Sequence, residues 1–259
     1  MRRLLEPQIR SLADRILEGC AVLEAGPLDV HGRRTDCRRM RSLLGAYAPL
    51  LKARPAHRVD RGLSRLMSLL GAVRDADVAR DLLAGLDPDG RDELDALSAM
   101  ATQALADVQA WLSSSDGRRA TTQLRAFAED VPWTHRAERP AKRVVAHTLQ
   151  HERRRIGRRA HRARRTHPGD AQDRRIHAVR RAVKRANDAA AAAARGSSKH
   201  RSRELREAQD VLGRHHDLVM LRAELRRYEA DEWVHLEAVN AETESAHAEA
   251  MRTVRRLDR

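Results

Sequence analysis

Two unlike sequence elements each occur twice in this chain, in the same order, and this repetition limits the folds available to it. In the first element a His is followed three positions later by Arg, and seven and eight positions later by a basic pair, starting at His31 and again at His177. In the second element an apolar pair precedes a Gly, which is Gly71 or Gly213, and an Asp stands four positions after it. Two matched elements in a fixed order predict an internal duplication.

The first element places its charges on one face of a helix. Successive residues of an α-helix are rotated by about 100° around its axis. Four side chains therefore lie within an arc of about 80° on one helix face, and they are His31, Arg34, Arg38 and Arg41. Like charges at such spacings repel each other, so helix stability alone does not account for the pattern. Three explanations are open. An anionic ligand neutralises the arginines, carboxylates of a neighbouring helix do so, or the stripe is ordinary surface charge.

The composition and periodicity favour an all-α fold. Aromatic residues make up only 2 % of the chain, and runs of β-branched residues are few, which disfavours a sheet-rich fold. Apolar residues recur at helical spacing and predict helices over about 4–24, 30–48, 59–83, 91–113, 118–130, 141–165, 170–194, 201–228 and 232–257.

Turn-forming residues predict where the helices end. Breaks are expected at Gly26-Pro27 with Asp29 as an N-cap, at Arg54-Pro55-Ala56, at Asp87–Gly90, at His167–Asp170 and at Arg195–Ser198. The segment Ser113–Gly117 marks a boundary between repeats. Because four helices with short connections form a bundle, the sequence predicts two four-helix bundles, residues 1–115 and 118–259.

The chain carries a strong positive charge, most of it from Arg. Its 51 Lys and Arg exceed its 37 Asp and Glu, and the formal net charge is +14. This balance predicts an anionic partner: nucleic acid, a soluble polyanion or an anionic membrane surface. The sequence has no run of eighteen apolar residues, and its basic N-terminus lacks an apolar stretch, so neither a membrane span nor a signal peptide is predicted. Cys20 and Cys37 lack metal-ligand spacing, which favours a reducing cytosol without disulfides.

The helix predicted over 141–165 is unusually basic. It holds ten Lys or Arg and one acid, Glu152. Apolar residues at helical spacing, including Leu149 and Ile156, indicate a packed helix and not a disordered tail. Arg154 and Arg158 of this helix are predicted to take part in anion binding.

Together the two elements resemble the CHAD family, the conserved histidine α-helical domain. The resemblance rests on the first charged element followed by Leu-Leu-Gly-x-x-Arg-Asp-x-Asp-Val at 69–78, with both repeated in weaker form. It covers essentially the whole chain, so residues 1–259 are interpreted as a single CHAD domain. The resemblance implies two four-helix bundles related by a pseudo-twofold axis. It also implies a shared positive surface that binds inorganic polyphosphate.

By position, the resemblance implies a set of polyphosphate-binding residues. In the first copy they are His31, Arg34, Arg38, Arg39 and Arg41, and in the second copy His177, Arg180, Lys184 and Arg185. Arg181 is also included in this set. The second copy has Asn187 at the position of Arg41 and so lacks one positive charge, which Arg181 offsets. This loss predicts a weaker second half-site.

The carboxylates of the second element admit a catalytic interpretation. Asp75, Asp77 and Asp217 are of the type that holds Mg²⁺ beside phosphate. No third carboxylate or base recurs at matched positions, so we expect these groups to pair with the arginines or to pack between helices. No catalytic residue is therefore predicted.

Two histidine pairs admit a metal-binding interpretation. His147 and His151 have the i,i+4 spacing of a zinc pair, and His215 and His216 are adjacent. The sequence indicates no further ligands for either pair, and Arg153–Arg155 would repel a cation near the first. Neither a metal site nor a cofactor is predicted.

The sequence thus predicts a non-enzymatic cytoplasmic protein that binds inorganic polyphosphate, with association with polyphosphate granules. The alternative is sequence-nonspecific binding to the backbone of DNA or RNA, which needs only charge. Three Trp, two Tyr and one Phe leave little for base stacking, so polyphosphate is favoured. No membrane partner is predicted, and the sequence does not specify an oligomeric state.

Overall fold

The computed structural model describes residues 1–25, 30–86, 91–194, 203–225 and 234–258, and within them all regular secondary structure is helical. The α-helices are α1 (Arg2–Ala25), α2 (Val30–Ala46), α3 (Ala53–Leu86), α4 (Arg91–Leu112), α5 (Ser115–Glu129), α6 (Ala141–Arg164), α7 (Asp170–Ala193), α8 (Arg203–Leu225) and α9 (Val234–Leu257). Short 3-10 helices lie at Ala48–Leu50 and His135–Glu138. The all-α prediction is confirmed. The internal duplication and its twofold axis stay predictions.

The chain divides into two compact units, and neither is a continuous segment. The first comprises Met1–Arg74, Thr102–Gln150 and Asp188–His200. The second comprises Asp75–Ala101, His151–Asn187 and Arg201–Arg259.

The first unit buries the apolar faces of α1 and α2. Leu5 and Ile9 of α1 and Met40 of α2 are almost fully buried, and α1 packs against both α2 and α5. The hydroxyl of Tyr47 donates a hydrogen bond to the carbonyl of Ala189 at 3.1 Å. That alanine belongs to the Ala-rich end of α7 and is fully buried, so its small side chain allows close packing there.

The second unit has a core of small and branched side chains. Ile176 and Val179 of α7, Leu212 of α8 and Val254 of α9 are fully buried, and α8 packs along α9. Alanines of α6 and α7, such as Ala160, are also fully buried. This packing fixes which faces of α6 and α7 carry their arginines to the surface.

One predicted break is wrong. Residues 54–56 were expected to interrupt the chain, but they lie in the first turn of α3, which begins at Ala53. Pro55 is tolerated there because the first turn of a helix has no intrahelical acceptor for its backbone N–H groups.

Other predicted helix ends can be compared with the structure. Gly169, with a φ of 116°, lies between α6 and α7, which confirms the turn at 167–170. The Ser114 side chain accepts a hydrogen bond from the Gly117 N–H at 3.2 Å and so caps α5. The predicted breaks at 26–29, 87–90 and 195–198 lie outside the described residues.

Both thiols are expected to resist modification in the native protein. Cys20 and Cys37 are buried, and burial raises the pKa of Cys37, with a further contribution from the nearby Cys20. The thiolate is the reactive form, so a disulfide-exchange reagent at pH 8 should label fewer than about one thiol in ten until denaturant is added. Fast labelling of the folded protein at either position would contradict this packing role.

None of the helices in the described ranges combines the length and the apolar composition needed to cross a bilayer.

Candidate functional site

The predicted basic face of the first unit lies on α2, and we call it the α2 stripe; its residues are His31, Arg34, Arg38, Arg39 and Arg41. Arg38 is held by the carboxylate of Asp188, which its Nη1 contacts at 2.8 and 2.6 Å. Ser42 donates its hydroxyl to the same carboxylate at 2.8 Å. Both contacts of Arg38 use one nitrogen, and a guanidinium has five N–H donors. The pairing thus fixes this side chain while leaving donor capacity for a ligand.

One further carboxylate, Asp60, holds an α2 arginine, and a second, Asp36, is bound mainly by an arginine of α1. Arg41 donates to Asp60 of α3 through Nε at 2.8 Å and Nη2 at 3.4 Å. The buried Asp36 accepts two hydrogen bonds from Arg15 of α1, at 3.0 and 3.1 Å. Arg39 is half exposed, with its Nη1 3.9 Å from Asp36.

The two sequence elements of the first copy meet in the structure. The guanidinium of Arg34 lies beside the buried Gly71 of α3, and a Cβ at Gly71 would be 3.7 Å from Arg34 Nη2. Glycine therefore leaves space beside the arginine, although alanine would also fit. His31 is exposed near the start of α2.

The first unit supports one of the three explanations offered by the sequence. Carboxylates of neighbouring helices do pair with Arg38 and Arg41. These ion pairs neutralise part of the positive charge of the α2 stripe and set the directions of the guanidinium groups. An anionic ligand would meet arginines that are already oriented.

The second copy of the first element lies on α7. His177 and His216 of α8 approach each other, with their Nδ1 atoms 3.1 Å apart. Arg180 lies 3.7 Å from Asp217 of α8. The expectation that the Asp residues of the second element pair with these arginines is confirmed for Asp217. Arg181 is exposed.

A buried carboxylate lies at the centre of a second group of arginines. Glu152 of α6 has a side chain that is 0 % exposed. Its Oε1 accepts a hydrogen bond from Arg185 at 2.8 Å, and Arg155 lies 3.6 Å from its Oε2. His151 is 3.7 Å away. One negative charge is therefore shared between two arginines, Arg185 and Arg155.

The arginines around this carboxylate are electrostatically crowded. Burial lowers the pKa of Arg155, and Arg185 and Arg158 lower it further against the opposing effect of Glu152. Burial also lowers the pKa of Arg159, followed by Arg155, Arg181 and Arg185. Mutual repulsion of this kind is relieved by a multivalent anion. We call Arg155, Arg158, Arg159, Arg181 and Arg185 the α6–α7 arginine cluster.

Sequence reasoning selected two residues of α6 and missed two. Arg158 belongs to the cluster, whereas Arg154 is exposed and has no described contact with it. Arg155 and Arg159 were not selected. The sequence did contain a signal for them. Glu152 lies on the same buried face of the helix as Ile156, and a single acid on a buried face needs arginine partners one helical turn away. Arg159 also donates to the carbonyl of Ala178 at 2.8 Å.

Other residues have structural roles. Asn187 donates to the Leu205 carbonyl and to Gln209 Oε1, each at 3.1 Å, and so links α7 to α8. Asp77 lies 3.7 Å from Arg80 of its own helix, not from a stripe arginine. The exposed His147 lies on the same helix as His151.

Comparisons with known proteins agree with this architecture. The CHAD domain family model matches residues 4–226. PptA from Streptomyces chartreusis has a similar structure, with a TM-score of 0.77 and 17 % identity over 99 % of this chain and 96 % of that chain. The CHAD domain from the plant Ricinus communis gives a TM-score of 0.60 and 24 % identity over 96 % and 91 % of the two chains.

At these identities the structural likeness shows the fold alone. Comparison with curated protein sequences gave no match. The family model, in contrast, spans most of the chain and includes both copies of the two sequence elements. The chain therefore belongs to the CHAD domain family.

Proposed function

We propose that this protein binds inorganic polyphosphate without converting it, through the α2 stripe and the α6–α7 arginine cluster. The observation that carries the proposal is that Arg155 and Arg185 share the single buried carboxylate of Glu152, at 3.6 and 2.8 Å, with Arg159 partly buried on the same helix as Arg155. Arginines held together in this way are costly unless anions neutralise them. A chain of phosphates supplies closely spaced negative charges.

Preorganisation of the guanidinium groups supports the same ligand. Asp188 fixes Arg38, and Glu152 fixes Arg185, so less side-chain entropy is lost when phosphate binds. Arg can contact phosphate oxygens through two parallel hydrogen bonds. Such contacts recognise charge and spacing and require no base.

The carboxylates near the arginines favour binding over catalysis. Asp217 lies against Arg180 and Asp77 against Arg80, so each faces a guanidinium. In these positions the carboxylates orient arginines and neutralise part of their charge. A polymer bound here would keep its phosphoanhydride bonds.

The alternative ligand is the backbone of DNA or RNA. Both polyanions release counterions on binding, so both depend steeply on salt. The low aromatic content of 2 % gives little surface for base stacking, and this favours the inorganic polymer. We also propose a cytoplasmic location in which the protein associates with polyphosphate granules, without a membrane partner.

A competition experiment tests the proposed ligand. At about 0.15 M salt, where the Debye length is about 8 Å, long-chain polyphosphate should displace a fluorescent DNA duplex from the full-length protein. We expect it to do so at a phosphate concentration at least about tenfold below that of unlabelled DNA. The measurement is fluorescence anisotropy at several salt concentrations.

The same titration distinguishes the alternatives. Orthophosphate at equal phosphate concentration is the control, since it lacks chain multivalency and should displace little. If unlabelled DNA displaces the probe more effectively than polyphosphate does, the protein is a nucleic-acid-binding protein. Phosphate release from the polymer on incubation would overturn the non-enzymatic assignment.

A further inference from the structure

Three metal-ligating side chains from three helices meet within the second unit, and they are Asp173 of α7, His215 of α8 and His247 of α9. The Oδ1 of Asp173 lies 3.2 Å from His215 Nε2 and 3.2 Å from His247 Nδ1. The two imidazole nitrogens are 3.3 Å apart. None of the three belongs to the α2 stripe or the α6–α7 arginine cluster.

The three donor atoms form a triangle of the size that a tetrahedral ion requires. Zn²⁺ binds His nitrogen and carboxylate oxygen at about 2.0 Å, which gives ligand-to-ligand edges of about 3.3 Å. An octahedral ion at about 2.1 Å, such as Mg²⁺, needs edges of about 3.0 Å. The observed distances of 3.2, 3.2 and 3.3 Å match the tetrahedral case.

The hydrogen bonds of Gln172 set the tautomer of His247. The Gln172 amide nitrogen donates to the carbonyls of Ala163 and Thr166, at 3.2 and 2.8 Å. Its Oε1 therefore faces His247 Nε2, 3.0 Å away, and accepts a hydrogen bond from the N–H at that position. The neutral imidazole then presents the lone pair of Nδ1 to Asp173 and His215. Metal-binding histidines are commonly oriented by such a second hydrogen bond.

The acceptor atoms of His247 and Asp173 converge on one point. With its Nε2–H directed at Gln172, His247 places Nδ1 3.2 Å from the Asp173 carboxylate, and His215 Nε2 lies 3.2 and 3.3 Å from these two atoms. The Nε2–H of His215 can donate to both acceptors, and a cation that replaces this proton would be bound by all three side chains. Arg222 contacts only the other carboxylate oxygen, Oδ2, at 3.3 Å, and so leaves Oδ1 directed at the histidines.

We propose that Asp173, His215 and His247 bind Zn²⁺ or a similar four-coordinate divalent cation, with water as the fourth ligand. His215 is 2 % exposed, whereas His247 is 27 % exposed, so the site is shielded yet open at one ligand. The bound ion would join α7, α8 and α9. It would stabilise the fold independently of polyphosphate binding.

Cobalt substitution tests the geometry on the unaltered protein. Full-length, tag-free protein is treated with a chelator, dialysed, and titrated with Co²⁺ in the absence of polyphosphate, which itself binds divalent cations. We expect one equivalent of Co²⁺ to give the intense visible absorption of a four-coordinate ion, and Zn²⁺ to abolish it. Zn²⁺ at a hundredfold excess over its Kd should also raise the Tm by about 5–10 °C.

Variants test the assignment of the ligands. His247→Gln and Asp173→Asn should each lower the Zn²⁺ affinity by about a hundredfold or more, since even outer hydrogen-bond partners of metal ligands contribute 10–100-fold. His161→Gln is the matched control, because His161 also lies beside a carboxylate, 3.3 Å from Asp258 Oδ1, and is 47 % exposed. Its affinity should equal that of the wild type. Circular dichroism confirms folding.

Two results would overturn the proposal. One is a wild-type Co²⁺ spectrum of only weak, six-coordinate absorption. The other is a Zn²⁺ affinity that is the same for the wild type and the folded His247→Gln variant, which would mean that the three side chains form a hydrogen-bonded group and not a metal site.

Discussion

Replacing Arg155 and Arg159 together by Gln is expected to lower the affinity for long-chain polyphosphate by about a hundredfold or more. A hydrogen bond to a charged group contributes about 1.5–3 kcal/mol, and two such contacts would be lost. The slope of log affinity against log salt should also fall, because fewer phosphate charges are neutralised. Isothermal titration at several salt concentrations measures both quantities.

The same double variant should fold with about the stability of the wild type, because relief of repulsion offsets the loss of the Arg155 contact with Glu152 and of the Arg159 hydrogen bond to the Ala178 carbonyl. The pKa values of Arg155 and Arg159 are lowered, first by burial and then by neighbouring arginines. A cation with a lowered pKa is held less favourably in the folded protein than in the unfolded chain, at every pH below that pKa. Removing these two charges therefore removes repulsion, while Arg185 still pairs with Glu152.

A matched control removes two arginines outside the proposed site. Arg118 and Arg119 lie on α5, and Arg119 is 68 % exposed and 3.6 Å from Asp116, which is 75 % exposed. Changing both to Gln lowers the net charge by the same two units. We expect a loss of less than about tenfold, since exposed charges contribute little individually. Equal losses in the two double variants would mean that the cluster is ordinary surface charge.

Helix positions were predictable from the sequence because apolar spacing encodes them. The apolar residues of α1 include Leu5 and Ile9, which the structure buries almost completely. The start of α3 was not predictable in this way, because Pro55 was interpreted as a break. Proline in a first turn and proline between helices differ only in the hydrogen bonds around them, and apolar periodicity carries no information about those bonds.

The candidate site was predictable in part. Repetition of the His and Arg spacing identified the charged faces of α2 and α7, since residues on one face of a helix follow from its period. The partners Asp60 and Asp188 were not predictable, because pairing between helices depends on how they pack. The same is true of Asp173 and His247, which the fold brings to His215 from positions 42 and 32 residues away.

In both units a carboxylate forms an ion pair with an arginine of the basic face. Asp188 holds Arg38, and Glu152 holds Arg185, at 2.6 and 2.8 Å. In each case the carboxylate neutralises part of the charge of a basic face, and the arginines on that face still outnumber it. Such a carboxylate should contribute mainly to folding, and the arginines mainly to binding.

Glu152→Gln separates these two contributions, and it should lower stability by about 3 kcal/mol. Breaking a buried ion pair costs about 3–5 kcal/mol because a charge is left without its partner, and Arg185 and Arg155 keep some contact with solvent, at 23 % and 25 % exposure. At about 2–4 °C per kcal/mol, the Tm should fall by about 10 °C. Differential scanning calorimetry at low and high salt measures the change.

Glu242→Gln is the matched control for this variant. Glu242 accepts a hydrogen bond from Arg214 at 2.7 Å, but both side chains are well exposed, so its loss should cost less than about 1 kcal/mol. High salt screens repulsion among the arginines and should restore part of the stability lost in Glu152→Gln, as should bound polyphosphate. The affinity of Glu152→Gln for polyphosphate should equal or exceed that of the wild type, because the cluster has gained net positive charge. A variant with normal stability and weakened binding would place Glu152 in the ligand site itself and would contradict its role as the internal partner of the arginines.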